Sequence, residues 1–177
     1  YFPSFLKRHG YDHLVLYGKA AQWTLLRIAL GEVTFEDATP YAGLDNLDTA
    51  AAAERDFKCK ERKDMALARI TSAGENGVLC AGIMGGIKAI WARGGGGAKM
   101  GALNLKAIMV HGRPPEIALP ADAKAQNKAI GKKITGTSVI KNALKMVGTP
   151  FLYKPSRVLG AMGTKNNQET TWGESLD

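Results

Sequence analysis

Histidine and cysteine are scarce in this 177-residue sequence, at three and two residues, and no apolar run approaches the ~20 residues that cross a bilayer. The apolar stretches at 14–17, 78–84 and 105–110 have the length of strands, so a membrane span is excluded. Cys59 and Cys80 fall in different expected elements and form neither a C-x-x-C pair nor a Cys/His cluster. Each therefore reads as a free thiol, there is no metal site in this piece, and the usage fits a reducing cytoplasm. His9, His13 and His111 are isolated from one another, and no nucleophile, base and orienting group stand together, so no catalytic residue is assigned. Tyr1-Phe2-Pro3 offers neither an initiator methionine nor a charged lead into a signal sequence, and reads as the interior of a longer protein.

Acidic residues are nearly absent from one half of the chain. Residues 88–165 hold 14 Lys/Arg against two Asp/Glu, whereas residues 1–87 hold 10 against 11, and the net charge is +8. An anion belongs in the basic half. Nucleic acid is disfavoured as that anion, because the stretch has only Trp91, Phe151 and Tyr153 to stack against bases.

With 45% apolar residues and 21 glycines the composition is globular and slightly rich in turns. Pro3 starts a short helix that Gly10 stops. Leu14–Tyr17, Trp23–Ile28 and Val33–Phe35 read as strands, the last two joined as a hairpin across Leu30-Gly31. Asp48 or Thr49 is the expected cap of a helix running through Ala50–Ala53 to about Lys63. Ala66–Ile70 and Val78–Ile83 are strand candidates either side of the loop S-A-G-E-N-G, and Leu105–Val110 is another. Arg113-Pro114-Pro115 breaks the pattern and marks a boundary. Beyond it Ala121–Ile134, Ser138–Met146 and Phe151–Leu159 look helical, with breaks at Gly136 and Gly148. The fold class is α+β followed by helices, divided as 1–115 and 116–177.

Four consecutive glycines, Gly94, Gly95, Gly96 and Gly97, follow Arg93. Such a run permits positive φ angles and leaves backbone N–H groups uncovered, which together line an anion site for a phosphate or pyrophosphate. The other reading is that the glycines let two backbones pass closely or end a helix. No G-K-[ST] follows and there is no G-x-G-x-x-G setting, so the two common nucleotide loops are disfavoured. Glu75, in A-G-E-N, reads as a carboxylate that locks its loop by accepting backbone N–H groups rather than as a general base.

A-G-E-N (73–76), followed after an apolar stretch by A-R-G-G-G-G-A-K-M-G-A-L-N-L-K-A-I (92–108), resembles the aldehyde ferredoxin oxidoreductase family. L-K-R-H-G-Y-D (6–12), L-V-L-Y-G-K-A (14–20) and E-D-A-T (36–39) are similar to segments of the same family, as more weakly are Gly148-Thr149 and G-A-M-G-T-K-N (160–166). The resemblance implies a mixed-sheet base domain on which a bis-pterin tungsten (or molybdenum) cofactor lies, continuing into an all-α multihelical domain. It also implies oxidation of aldehydes to carboxylic acids, with electrons passing to a [4Fe–4S] cluster and then to ferredoxin or an iron–sulfur subunit. A magnesium ion bridging the pterin phosphates, a homo- or hetero-oligomer and a cytoplasmic setting belong to the same expectation.

On this resemblance Arg93 and Gly94–Gly97 fall beside the cofactor, and Ala89 and Ile90 stand where the aldehyde-oxidising type has a pterin-contacting Arg-Ala pair. The guanidinium is missing there, and Lys88 next door substitutes for its charge but not for its bidentate geometry. Asn166 matches a family asparagine, with a turn or cap role as the other reading. Gly163 stands in place of the usual proline, and Trp172-Gly173 is similar to the subgroup that reduces aromatic acyl-CoA thioesters. The resemblance places an N-S-G-G pterin loop before Tyr1 and a C-x-x-C-x-x-x-C cluster motif after Asp177, so the piece is an incomplete catalyst. An aromatic acyl-CoA reductase-type subunit and a non-catalytic anion-binding protein are the alternative readings.

Overall fold

A computed structural model describes residues 1–170 apart from Leu30, Pro114 and Ile117; the Trp172-Gly173 pair lies outside the described residues. The chain divides between residues 117 and 118 into two units.

The first unit is built on a mixed six-stranded sheet in the order β2-β1-β6-β3-β4-β5. Its strands are β1 (Thr24–Ala29), β2 (Glu32–Asp37), β3 (Met65–Arg69), β4 (Ile83–Met84), β5 (Ile90–Trp91) and β6 (Leu105–His111). β1 and β6 run parallel, with a one-residue slip that leaves Lys106 between the pairs Thr24↔Leu105 and Leu25↔Ala107. β2 pairs β1 and β3 pairs β6 in antiparallel fashion. The central strands β3 and β6 are buried along their length, which is why their sequences read as continuous apolar runs rather than alternating ones.

Each face of the sheet is covered by different helices. On one, α1 (Phe2–Arg8) and α4 (Gly96–Ala102) bring Phe2, Phe5 and Met100 onto Leu26, Ile28, Ala68 and Ile108. On the other, α2 (Asn46–Asp56) lays Ala52 and Ala53 on Leu25, Met65, Leu67 and Met109. Leu25 and Ile28 are fully buried, and each such side chain contributes about 1.5–3 kcal/mol relative to exposure. α1 opens with Pro3 in its first turn and carries Lys7 and Arg8 in its last, a charge placement that favours its C-terminal dipole.

Three local expectations are corrected by this arrangement. Leu14–Tyr17 is not a strand: it pairs with none of the six strands, and both edges of β1, the next strand in the chain, are taken by β2 and β6. It keeps the alternation of a strand nonetheless, with Leu14 and Leu16 packed on the core and Val15 and Tyr17 exposed. Val78–Ile83 pairs only at its end, in β4, because the N–H of Gly97 donates to Ala81 O at 3.0 Å and holds that stretch against the start of α4. The cap of α2 is Asp45, whose carboxylate accepts from the N–H groups of Leu47 and Asp48. Thr49 is instead a buried member of the helix and donates to Asp45 O at 2.6 Å. Inside the loop S-A-G-E-N-G the structure adds α3 (Ser72–Glu75).

The second unit contains α5 (Ala123–Gly136), a π-helical stretch Ile140–Leu144, α6 (Lys145–Val147), a 3-10 stretch Thr149–Leu152 and α7 (Tyr153–Val158). None of its described residues is buried. Asn166 sits in the turn closed by the bridge Thr164↔Glu169, with φ 58°. Among the described residues, no helix is long and apolar enough to cross a membrane.

Candidate anion-binding surface

The four glycines do different work. Gly94 (φ 85°) and Gly95 (φ 70°) take the left-handed conformation that a side chain disfavours. A Cβ added to Gly94 would meet nothing within 4 Å, so the backbone angle alone calls for glycine there. Neither N–H donates a hydrogen bond to another described residue. Gly97 is buried, and a Cβ on it would lie 2.6 Å from both Ala81 O and Gly82 O. Four residues on in α4, a Cβ on Gly101 would lie 1.9 Å from Gly74 O. The run is therefore half exposed loop and half close-packing surface: Gly94 and Gly95 offer N–H groups, while Gly97 and Gly101 let α4 lie directly on the backbone of 81–82 and on α3.

Arg93, immediately before the loop, is exposed, as are Lys88, Ala89 and Ile90. Neither Arg93 nor Lys88 faces a carboxylate among the described residues. Ala89 and Ile90 belong to the short β4–β5 ribbon, in which Gly85 N–H donates to Ala89 O at 2.9 Å and Ile90 pairs with Met84. The ribbon is seated by two more glycines. A Cβ on Gly82 would lie 2.7 Å from Ile90 Cδ1, and one on Gly85 would lie 2.8 Å from the Trp91 ring. Trp91 also meets Phe2 edge to face, centroids 6.1 Å apart, which ties the ribbon to α1.

Two ion pairs are buried in this unit. Lys106 Nζ donates to Glu75 Oε1 at 2.5 Å and to Leu44 O at 2.9 Å, and Glu75 Oε2 accepts from Gly43 N–H at 2.8 Å. Arg69 donates to Glu61 at 2.7 Å and to Asn46 O at 2.9 Å. Both cationic side chains are fully buried. Together they fix the loop 43–46 to the sheet, and through Glu75 they fix α3, on which α4 rests. Sequence reasoning gave Glu75 a loop-locking role but missed Lys106, Gly74, Gly82, Gly85 and Gly101. A signal was present for some of them, since Gly97 and Gly101 stand four apart on one face of a helix.

The cysteines stand apart from this surface: Cys59 is buried, Cys80 exposed, and both are free. Burial pushes the Cys59 thiol above its ordinary pKa, helped by Asp64 and Glu54. Among the described residues there is no cluster of His, Cys, Asp and Glu that would hold a metal ion.

The loop with its free N–H groups, the glycine-packed helix and the buried Glu75–Lys106 pair come from the segments 73–76 and 92–108. Comparison with known proteins agrees with where they fall. Residues 1–112 match the family described as aldehyde ferredoxin oxidoreductase, N-terminal domain. The tungsten-containing aldehyde ferredoxin oxidoreductase of Pyrococcus furiosus is 38% identical over 112 residues, covering 63% of this chain and 18% of that protein. The enzyme of the same description from Pyrococcus abyssi is 31% identical over 169 residues, 95% of this chain and 27% of that protein. Among solved structures, a chain of the active site complex BamBC of benzoyl coenzyme A reductase, in complex with 1,5-dienoyl-CoA, superposes with a TM-score of 0.64. It is 30% identical, over 75% of this chain and 20% of that one. The chain thus spans about a fifth to a quarter of the length of the proteins it matches. It belongs to the aldehyde ferredoxin oxidoreductase family, an oxidoreductase family whose mixed-sheet N-terminal domain accounts for residues 1–112.

Proposed function

We propose that this chain is a piece of a tungsten-pterin oxidoreductase, and that Arg93 with the N–H groups of Gly94 and Gly95 holds an anionic edge of the pterin. The observation that carries this reading is the juxtaposition of two left-handed glycines, their N–H groups unengaged, with an arginine that has no carboxylate partner among the described residues. Backbone N–H groups in that conformation suit phosphate oxygens, and a guanidinium adds a planar fork beside them. Gly96 and Gly97 contribute by setting the start of α4, and Lys88 adds a point charge on the ribbon. Ala89 and Ile90 present an apolar surface beside it.

When bound, the tungsten-pterin group supplies two-electron redox chemistry that side chains lack. The role of this chain is to position it: the buried Glu75–Lys106 pair and the glycine contacts make the supporting surface stiff. On this reading residues 1–115 are the later part of the pterin-binding domain and residues 116–177 begin the helical domain. The iron–sulfur cluster, any magnesium on the pterin phosphates and the docking site for ferredoxin or an iron–sulfur subunit lie in the rest of the enzyme.

The reaction we propose is oxidation of aldehydes to carboxylic acids, supported by the aldehyde oxidoreductases among the relatives. A second reading, an aromatic acyl-CoA reductase-type subunit, is favoured by the likeness to the benzoyl coenzyme A reductase chain. Anaerobic turnover of the intact parent enzyme with a viologen dye separates the two. Reduction of dye by a panel of aldehydes supports the first; no aldehyde turnover, with dye-dependent reduction of an aromatic acyl-CoA, supports the second and sinks the first.

A further inference from the structure

Six cations of the first unit face a carboxylate, among them Lys7 with Asp12, Lys60 with Glu54 and Arg69 with Glu61. Arg62, Lys63 and Arg113 have no such partner among the described residues, yet they gather with Arg8 around one cavity of about 330 Å³, whose other lining includes Phe5 and a single carboxylate, Glu116. Arg62 and Lys63 precede β3 and Arg113 follows β6. Met65 pairs with His111 whereas Arg69 pairs with Ala107, so this cavity lies where β3 begins and β6 ends, while the ribbon that precedes the glycine loop joins β3 at its other end, Arg69. The seven residues of β6 put about 20 Å between its own two ends.

Two of the cationic heads are held in place. The Arg62 guanidinium lies 4.2 Å over the Tyr1 ring and donates to Tyr1 Oη at 2.8 Å, and its backbone takes φ 76°, unusual for a residue with a side chain. Arg8 Nε donates to Pro115 O at 2.6 Å. Fixing such flexible groups in advance lowers the entropy lost on capturing a ligand. Arg62, Lys63 and Arg113 stand exposed around a cavity with one carboxylate in its lining, and this excess of positive charge attracts an anion. One arginine fork satisfies a monocarboxylate, whereas forks and a point charge from several directions suit the tetrahedral, multiply charged phosphoryl group.

We propose that this cavity binds a phosphoryl oxyanion, inorganic or at the end of a nucleotide, separately from the pterin. The test is calorimetric titration of inorganic pyrophosphate into the intact parent protein at low ionic strength. The expected result is a saturable site that the double variant Lys63→Ala, Arg113→Ala weakens by about tenfold or more, that added salt weakens, and that Lys19→Ala, an exposed cation outside the cavity, leaves unchanged. ADP titrated in place of pyrophosphate identifies the source: affinity about tenfold tighter points to a nucleotide, equal affinity to an inorganic anion, and either supports the site. Absence of binding by both ligands, unchanged affinity in the double variant, or loss of binding in Lys19→Ala overturns it. Should the double variant fail to fold, acetylation of Lys63 in the wild type decides the same question: protection by pyrophosphate supports the site, and equal labelling with and without pyrophosphate contradicts it.

Discussion

Glu75 and Lys106, 31 residues apart in the chain, meet in the interior with Lys106 Nζ 2.5 Å from Glu75 Oε1. They are the charged members of the segments A-G-E-N and N-L-K-A-I, so two stretches that look separate in sequence form one buried unit. Lys106 is fully buried and the Glu75 side chain nearly so. Glu75→Ala leaves an ammonium buried with Leu44 O as its one remaining described acceptor, and such a loss costs about 3–5 kcal/mol. Replacing both partners by apolar residues of similar size is expected to cost much less. Hydrogen exchange of the β6 and 43–46 peptides in the intact protein reads this out: exchange accelerates strongly in Glu75→Ala and much less in Glu75→Leu with Lys106→Met. Equal acceleration in both would mean the pair does not matter as a pair.

The glycines of α4 and the loop give opposite expectations from the same substitution. Gly101→Ala drives a Cβ to 1.9 Å from Gly74 O, so α3 and α4 must separate, at a cost of about 1–3 kcal/mol or more. Gly94→Ala meets no atom and carries only the left-handed penalty, about 1–2 kcal/mol. Exchange protection of α3 is expected to fall in Gly101→Ala and to stay near wild type in Gly94→Ala; loss of α3 protection in Gly94→Ala would contradict this division of roles.

Asp45 caps α2 through the N–H groups of Leu47 and Asp48, at 2.7 and 2.9 Å. Asp45→Ala is expected to destabilise the helix by about 1 kcal/mol, seen as faster exchange in its first turn, while Asp48→Ala has a smaller effect. The reverse order would return the cap to Asp48.

His111 links stability to pH. Burial, with the Arg27 guanidinium beside it, holds the imidazole below its ordinary pKa, and Arg27 Nε donates to His111 Nδ1 at 2.9 Å. The unfolded chain therefore takes up a proton before the folded one does. Stability is full above the ordinary value of about 6.5 and falls as the pH drops below it, until the lowered folded value is passed. Glu54 and Asp56 are also held below their ordinary values, Glu54 by Lys60 and Asp56 by Arg55 and Tyr41. Their contribution is lost only below about pH 4, so the two windows are distinct. His111→Gln is expected to flatten the change in β6 exchange protection between about pH 7 and 5; an undiminished slope in that variant would exclude His111 as its source.

The sheet was legible in the sequence wherever burial wrote it: β1 and β2 as a hairpin, and β3 and β6 as continuous apolar runs. It misled where strand patterning had no neighbour to pair with, as at Leu14–Tyr17, whose alternation records packing against the core rather than a ladder. It misled again at Val78–Ile83, because the backbone approach of Gly97 to Ala81 and Gly82 decides that segment's path and leaves no mark within it. In the candidate site the exposed half, Arg93, Gly94 and Gly95, was readable from composition alone. The supporting half was not: pairing Lys106 with Glu75 needs the tertiary fold, and an isolated lysine in an apolar strand does not name its partner.

The central claim, that Arg93 and the N–H groups of Gly94 and Gly95 hold a pterin, is tested most directly by the tungsten and pterin content of the intact parent protein, purified anaerobically, in the wild type and in Arg93→Ala. The wild type is expected to carry both, with the variant losing a large part of its pterin while α3 and β6 keep their exchange protection. A fully folded wild type with neither metal nor pterin, or an Arg93→Ala protein with undiminished pterin, would contradict the account.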